Sequence, residues 1–295
     1  MTETGEHPNP TLDLLMGRAS CRDFSRRRIP PEVLQKILEA GTHAATGGNL
    51  QPYSIIKTEK EETKQRLAEL CGRQYFMASA PVMLLFCIDW HRLRRWAELE
   101  VAPYTSASSF RNFWISFQDT IICAQSICTA ADSLGVGSVY IGMVLECLTE
   151  LRDMFRLPDA VFPVVLLCLG YPAEELDPAR KLAVEAVVHD EQYREMDDRE
   201  LLEAFAEKYR GRELKITPER LETIARVCRD VHGEPFASRC LKRIEDNGHV
   251  NMAQYYFALH YHANRMPLGN ETFLERMEEF GFDWFKQYRP PQEDV

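Results

Sequence analysis

Leu134-Gly-Val-Gly-Ser-Val-Tyr-Ile-Gly142 is the stretch on which the fold class turns, because its glycine spacing suggests a dinucleotide-binding loop. Such a loop follows a strand, opens a helix and is answered by an acidic residue about twenty positions on. Here the order is reversed. Asn112 to Leu134 reads as a helix, with Phe117, Ile121, Ile122, Ala124, Ile127, Cys128, Ala131 and Leu134 spread nearly round its circumference. The glycines close that helix and lead into a short strand over Ser138 to Ile141. Gly135 is placed as the helix C-cap. Gly142 is either an ordinary turn glycine or a point where backbone approaches something flat or bulky. A helix apolar on most sides must be buried on most sides, as a central core helix or at a subunit contact.

Outward from this block, helical and strand signals alternate. Pro31 to Ala40 has apolar residues at helical spacing, with Gly41 positioned to cap its end. Ser54 to Thr58 and Val82 to Asp89 read as strands, the second almost wholly apolar and therefore central in a sheet. Between them Glu61 to Leu70 is an amphipathic helix, and after Gly142 come a helix over Leu148 to Phe155 and a strand over Val161 to Tyr171. From Asp197 onward strand signals vanish and helical patterns take over, including Leu201 to Tyr209, Pro218 to Val231 and Val250 to His262. The expected division is a domain over 10–195 and a helical C-terminal extension over 196–295.

At 295 residues with 45% apolar content, the chain can bury a substantial core. A formal charge of -10 argues against a general nucleic-acid role, and Arg26-Arg27-Arg28, just ahead of Ile29-Pro-Pro31, reads as a solvent-facing cluster. The cysteine count is odd at nine, without a C-x-x-C pair, which fits a reduced cytoplasm. Most of these thiols are expected as small buried hydrophobes, and Cys21, between arginines, is the one whose setting would lower its pKa. Met1 to Pro10 lacks an apolar signal core, and the longest apolar run, Val161 to Leu169, is too short to span a bilayer, so no membrane role is expected. His260 and His262 have no third ligand nearby and read as packing or surface residues rather than a metal site.

Arg18-Ala-Ser20-Cys-Arg22-Asp-Phe24 places two arginines and a serine at alternate positions. In an extended chain those side chains share a face, and two guanidiniums with a hydroxyl suit a phosphate. Taken alone, the segment favours the plainer reading of a solvated arginine pair near a terminus. Arg180-Lys181, after a Pro-containing loop, forms a second basic pair that alone would be surface charge.

In order along the chain stand Arg18-Ala-Ser20-Cys-Arg22, Ala45-Thr-Gly-Gly-Asn49-Leu-Gln51, Cys71-Gly-Arg-Gln74, Phe86-Cys-Ile-Asp89-Trp, the helix ending at Gly135, Val139-Tyr-Ile-Gly142, Cys168-Leu-Gly-Tyr-Pro172 and Lys181 with Val188-His189. Taken together, this chain resembles the FMN-dependent nitroreductase family, within it the oxygen-insensitive NADPH nitroreductase and flavin reductase group. The resemblance implies an α+β fold, a mostly antiparallel sheet flanked by helices, in an entwined homodimer with FMN at the subunit interface. Carried over by position, Arg18, Ser20, Arg22 and Lys181, with Arg180 as a near-register substitute, would hold the phosphate and ribityl end. Gln74 would contact the flavin, Tyr140, Ile141 and Gly142 would lie against its ring, and Ala45, Thr46, Gly47 and Asn49 would come from the partner subunit.

The resemblance further implies an NAD(P)H oxidoreductase, in which FMN takes hydride at N5 from NADPH or NADH and passes it to a nitroaromatic, quinone or flavin acceptor. No catalytic side chain and no metal is expected. His189 is placed as a structural, hydrogen-bonded histidine rather than a general base. Trp90 to Arg111, with Trp96, Tyr104 and Phe110, falls where relatives keep a mobile substrate-facing cover; those aromatics would either stack acceptors or pack beneath the helices. The group's NADPH-preferring members extend their C-terminus onto the partner subunit, where the resemblance implies that a basic residue such as Arg212, Arg220 or Arg226 would read a 2'-phosphate, with the spacing choosing none of them. A different FMN-dependent reduction, or a non-catalytic flavin-binding dimer, is the alternative on the same scaffold.

Overall fold

A four-stranded antiparallel sheet organises the chain, its strands β1 (Tyr53–Thr58), β2 (Val82–Asp89), β3 (Gly137–Ile141) and β4 (Val161–Gly170) lying in the order β1-β2-β4-β3. The computed structural model describes residues 9–289. Every residue of β2 and β4 is buried, so both faces of the two inner strands are covered. That burial explains why β2 reads as a continuous apolar run even though its partners are antiparallel. Val82 pairs with Leu169 and Leu85 with Leu166, but the register slips between Phe86 and Cys87, where Cys87 faces Pro163. Proline has no N–H to give a ladder, and the bulge takes up that gap.

The helices around the sheet are α1 (Pro10–Met16), α2 (Pro31–Thr42), α3 (Glu61–Leu70), α4 (Phe76–Ser79), α5 (Trp90–Leu99), α6 (Phe110–Ser133) and α7 (Leu148–Phe155). Local chemistry starts them: the Asn9 side chain accepts from the Thr11 and Leu12 N–H groups ahead of Pro10, and Ser109 accepts from Asn112. Helix α6 buries Cys123, Ala124, Ile127, Cys128 and Ala131 but leaves Phe110, Trp114, Ile115 and Ile122 exposed, Trp114 at 52%. Its apolar circumference is therefore only half satisfied within one chain.

Gly41 differs from its expected role. It lies inside α2, not beyond its end, and a Cβ there would sit 2.5 Å from Cγ1 of the buried Ile127 on α6. Glycine is required because two helix backbones approach closely, and the helix continues to Thr42. Gly135, by contrast, takes φ +71° just past α6, as a C-cap glycine does.

Trp90 to Arg111 is largely helical, with α5 over Trp90–Leu99, a short turn at Ser106–Ser108 and the start of α6. Helix α5 opens with the Asp89 carboxylate accepting from the Arg92 N–H, and the buried Trp90 donates through Nε1 to Ser116 Oγ at 2.8 Å. Tyr104 packs against the core, whereas Trp96 and Phe110 face outward.

Compactness divides the chain away from the expected 195/196 boundary. One unit runs to Pro178 and resumes at Thr272, and the other is Ala179–Glu271. Within the first, the returning segment buries Met277, Phe280 and Phe282, with the Phe282 ring 4.8 Å from that of Trp90 and the Phe280 carbonyl accepting from Ala160. The second holds α8 (Asp198–Lys208), α9 (Pro218–His232), α10 (Glu234–Asn247) and α11 (Met252–Gln254), and its core of Ile224, Val227, Ala237, Ile244 and Val250 is drawn from α9, α10 and the residue Val250. A last helix, α12, covers Asn270–Glu279. The expected helix over Val250 to His262 is a short α-turn followed by a π-turn at Tyr255–His260.

Gly41→Ala is expected to destabilise the fold by about 1–3 kcal/mol through overpacking, against helix propensity, which favours alanine by about 1 kcal/mol. Urea unfolding midpoints test this, and the penalty should vanish in an Ile127→Ala background. An unchanged midpoint for Gly41→Ala alone would show that α2 and α6 do not approach this closely.

Candidate functional site

Residues 18–22 lie alongside β3. Ser20 bridges Ser138 in parallel orientation, and the Cys21 N–H donates to the Ser138 carbonyl at 2.9 Å. Alternation then sends Cys21 inward, fully buried, while Arg18 Nη1 reaches Ser20 Oγ at 3.5 Å and Arg22 is exposed. Cys21 is thereby turned away from the guanidiniums, and burial raises its pKa, the reverse of the expected lowering. The thiol held low is Cys147, through its hydrogen bond with Cys71.

Arg18 occupies a recess between β3 and the end of α6. Its guanidinium stands 6.0 Å from the centre of the Tyr140 ring, a cation–π arrangement. Burial acts to lower its pKa, but Cys128, Asp132 and Tyr140 outweigh that and hold the charge. The Arg18 Nε is buried without a hydrogen-bond partner, an open donor in an otherwise satisfied recess. Asp132 is pushed up to about 6 by burial, against the pull of Arg18 and Cys128. A cleft of about 410 Å³ opens here, with Asp13, Arg18, Asp132, Gly137 and Pro172 among its walls.

At the far end of β3, Ile141 is buried and Gly142 exposed. Gly142 does not take positive φ, and a Cβ there would meet nothing within 4 Å. Neither backbone conformation nor packing within this chain requires a glycine, which leaves a smooth surface for something outside it. Tyr140 shares the strand, its phenol raised by burial and donating to Gln125 Oε1 at 3.4 Å. Gln74 follows Gly72 and Arg73, both of left-handed φ, and a Cβ on Gly72 would touch Met143, so the Gln74 turn lies beside Gly142. The Gln74 amide is engaged by its own helix end, donating to the Cys71 carbonyl at 2.8 Å.

Ala45, Gly47 and Asn49 are exposed and Thr46 half-buried, in a segment whose Gly47 N–H donates to Asp119 of α6. Arg180 and Lys181 lie in the second unit, both exposed, with Arg180 Nη1 donating to the Arg210 carbonyl at 3.0 Å. His189 accepts from the Arg194 N–H at 3.2 Å and packs on Tyr193, as a structural histidine does. Among the described residues no group of three His, Cys, Asp or Glu is arranged to hold a metal.

Sequence reasoning missed Asp119 and Asp132. Their signal was available: they are the two acidic residues of α6, a helix whose one other charged residue, Arg111, stands in its first turn.

The sequence profile of the nitroreductase family matches residues 15–171, which take in Arg18 to Arg22, the 45–51 segment and Gly142. The chain belongs to the nitroreductase family. Among its relatives are the oxygen-insensitive NADPH nitroreductase of Salmonella typhimurium, 32% identical over 204 residues (68% of this chain and 83% of that protein), and the FMN reductase [NAD(P)H] of Bacillus subtilis, 32% identical over 191 residues (64% and 77%). The solved structure of B. megaterium NfrA2 superposes with a TM-score of 0.70 at 25% identity, covering 94% of this nitroreductase and all of that chain.

The raised Asp132 pKa carries a sign. The folded state holds the proton more tightly than the unfolded chain, so this group's contribution to stability is complete below about pH 4 and lost as pH rises through about 6. Asp132→Asn should therefore raise the unfolding midpoint at pH 7.5 and leave it nearly unchanged at pH 4. Equal effects at both values would show that Asp132 is not buried in its charged form.

Proposed function

We propose that this nitroreductase-family protein is an FMN-dependent NAD(P)H oxidoreductase acting on nitroaromatic, quinone or flavin acceptors. One observation carries the proposal: a single strand, β3, has an arginine-serine-arginine segment bonded along its edge and ends in an exposed glycine that neither conformation nor packing in this chain explains. The unsatisfied Arg18 Nε and the exposed Arg22 fit the phosphate end of FMN, and the smooth Gly142 surface fits its flat ring. The relatives named as an NADPH nitroreductase and an FMN reductase support the same assignment.

Each residue has a task in binding rather than in proton transfer. Arg18, Ser20 and Arg22 give charge-assisted and neutral hydrogen bonds to phosphate oxygens, with Arg180 and Lys181 as further cations. Tyr140, Ile141 and Gly142 present strand-end backbone to one ring face, and Gln74 adds an amide once released from the Cys71 carbonyl. Ala45, Thr46, Gly47 and Asn49 serve the site of a partner subunit. FMN, when bound, supplies a two-electron carrier able to take hydride from NADPH or NADH and deliver it to the acceptor. The protein holds that group, leaves one face open and offers N–H groups to the edge where negative charge gathers.

The homodimer is supported by the outward Phe110, Trp114, Ile115 and Ile122, four exposed apolar residues on the helix whose Asp119 accepts from the 45–49 segment. Free cysteines throughout support a reducing cytoplasmic setting, and among the described residues no helix is long and apolar enough to cross a membrane. We take the FMN-binding domain to be the 10–195 region read from the sequence together with the segment that returns to it from Thr272, and the helical stretch between them as its extension.

The visible spectrum of the purified protein decides the matter. Bound FMN should bleach anaerobically with NADPH or NADH and recover on adding a nitroaromatic or quinone. Arg18→Ala and Arg22→Ala should each weaken FMN binding about 10- to 100-fold, the effect of losing a hydrogen bond to a charged group. A colourless protein that cannot be reconstituted with FMN would refute the assignment, and a yellow one that stays oxidised would leave a binding role only.

A further inference from the structure

The segment 46–51 carries left-handed backbone at Gly48, Asn49 and Gln51, with φ of 59°, 56° and 50°. Non-glycine residues hold that conformation only where surrounding structure imposes it. Two side chains from outside the segment do so. At its start the Gly47 N–H donates to both carboxylate oxygens of Asp119, each at 3.1 Å. At its end Arg92 donates through Nη2 to the Gln51 carbonyl at 2.8 Å and the Tyr53 carbonyl at 2.7 Å, and through Nη1 to Ser54 Oγ at 3.1 Å. Arg92 is itself fixed, because its backbone N–H donates to Asp89 Oδ1 at 2.9 Å while the other Asp89 oxygen accepts from Ser54.

Asp119 is an unfavourable choice for a simple strut. It is 4% exposed, and the Gly47 N–H is the one donor its carboxylate finds among the described residues. An ionised carboxylate has room for about four hydrogen bonds, and one buried with so few destabilises the fold around it. Burial accordingly raises its pKa, with the Gly47 bond acting in the opposite direction. A residue kept at a cost to stability has its use elsewhere.

We infer that Asp119 and Arg92 are positioning residues that hold the segment 46–51 in the geometry presenting Thr46, Gly47 and Asn49 to the flavin of a neighbouring subunit. This rests on the FMN site and the homodimer proposed above. Neither residue touches the cofactor; both act through the backbone between them.

The test compares wild type, Asp119→Ala, Asp119→Asn and Arg92→Ala as full chains, with Arg22→Ala as reference, by two measurements. One is the FMN dissociation constant from quenching of flavin fluorescence, and the other the melting temperature of the FMN-free protein. Asp119→Ala should weaken FMN binding about tenfold, as expected for a lost hydrogen bond to a charged group, while the FMN-free protein melts no lower than wild type. Asp119→Asn keeps an acceptor for the Gly47 N–H and should bind FMN within about twofold of wild type. Arg92→Ala, releasing the other end, should weaken binding to a similar extent.

A purely structural role lowers melting temperature and FMN affinity together, and that outcome overturns the inference. So does wild-type affinity in both Asp119→Ala and Arg92→Ala, which would leave the flavin site intact if Arg22→Ala still binds poorly. A wild-type protein that binds no FMN removes both the site and the inference. If Asp119→Ala does not fold, the Asp119→Asn and Arg92→Ala results decide.

Discussion

The site depends on how closely the 18–24 segment can lie against β3, and that distance is set at Gly137. A Cβ there would fall 2.8 Å from the Cys21 Cβ and 3.0 Å from Pro172. Glycine lets the Cys21 N–H reach the Ser138 carbonyl, and that single hydrogen bond fixes the phase of the alternation. A one-residue slip would send the cysteine outward and both arginines into the core. Such an arrangement would bury two charges without partners, which a fold does not tolerate. The position of the guanidiniums is thus a consequence of packing behind them.

The same sheet supports both ends of the site. Its inner strands are covered on two faces, so side chains on β3 and the segments bonded to it are held by a core that cannot shift locally. Helix α6 connects the rest. Its end lines the Arg18 recess through Cys128 and Asp132, its middle carries Asp119 under the 46–51 segment, and its start presents Phe110 and Trp114 outward. One helix therefore links anion recess, flanking segment and apolar face.

Much of this was legible in the sequence where a signal was local. The bounds of β2, α3 and α7 follow from the apolar pattern alone, and the arginine-serine-arginine alternation predicted which side chains share a face. What escaped was set by tertiary contact. Gly41 looks like a terminal glycine because its reason for being glycine, Ile127, lies on another helix. Cys21 reads as a thiol of lowered pKa because the pattern shows its charged neighbours and not the core behind it. Asp119 escapes notice inside a largely apolar helix, although an acid at its middle is itself a signal. The return of Phe280 and Phe282 to the first unit has no local signature, since aromatic residues in a helical tail read the same wherever they dock.

That return has a consequence for how the protein is made. Trp90, Phe113 and Phe162 find their ring partners in Phe282, and the Ala160 N–H finds its acceptor in Phe280, far along the chain. Contacts of such long sequence separation form late and slow folding. On the ribosome, the sheet's core stays open at one side until Phe282 has been synthesised and has cleared the exit, with the whole segment 179–271 emerging first. The helical unit, closed around its own Ile224 and Ile244, can thus fold before the sheet that precedes it is sealed.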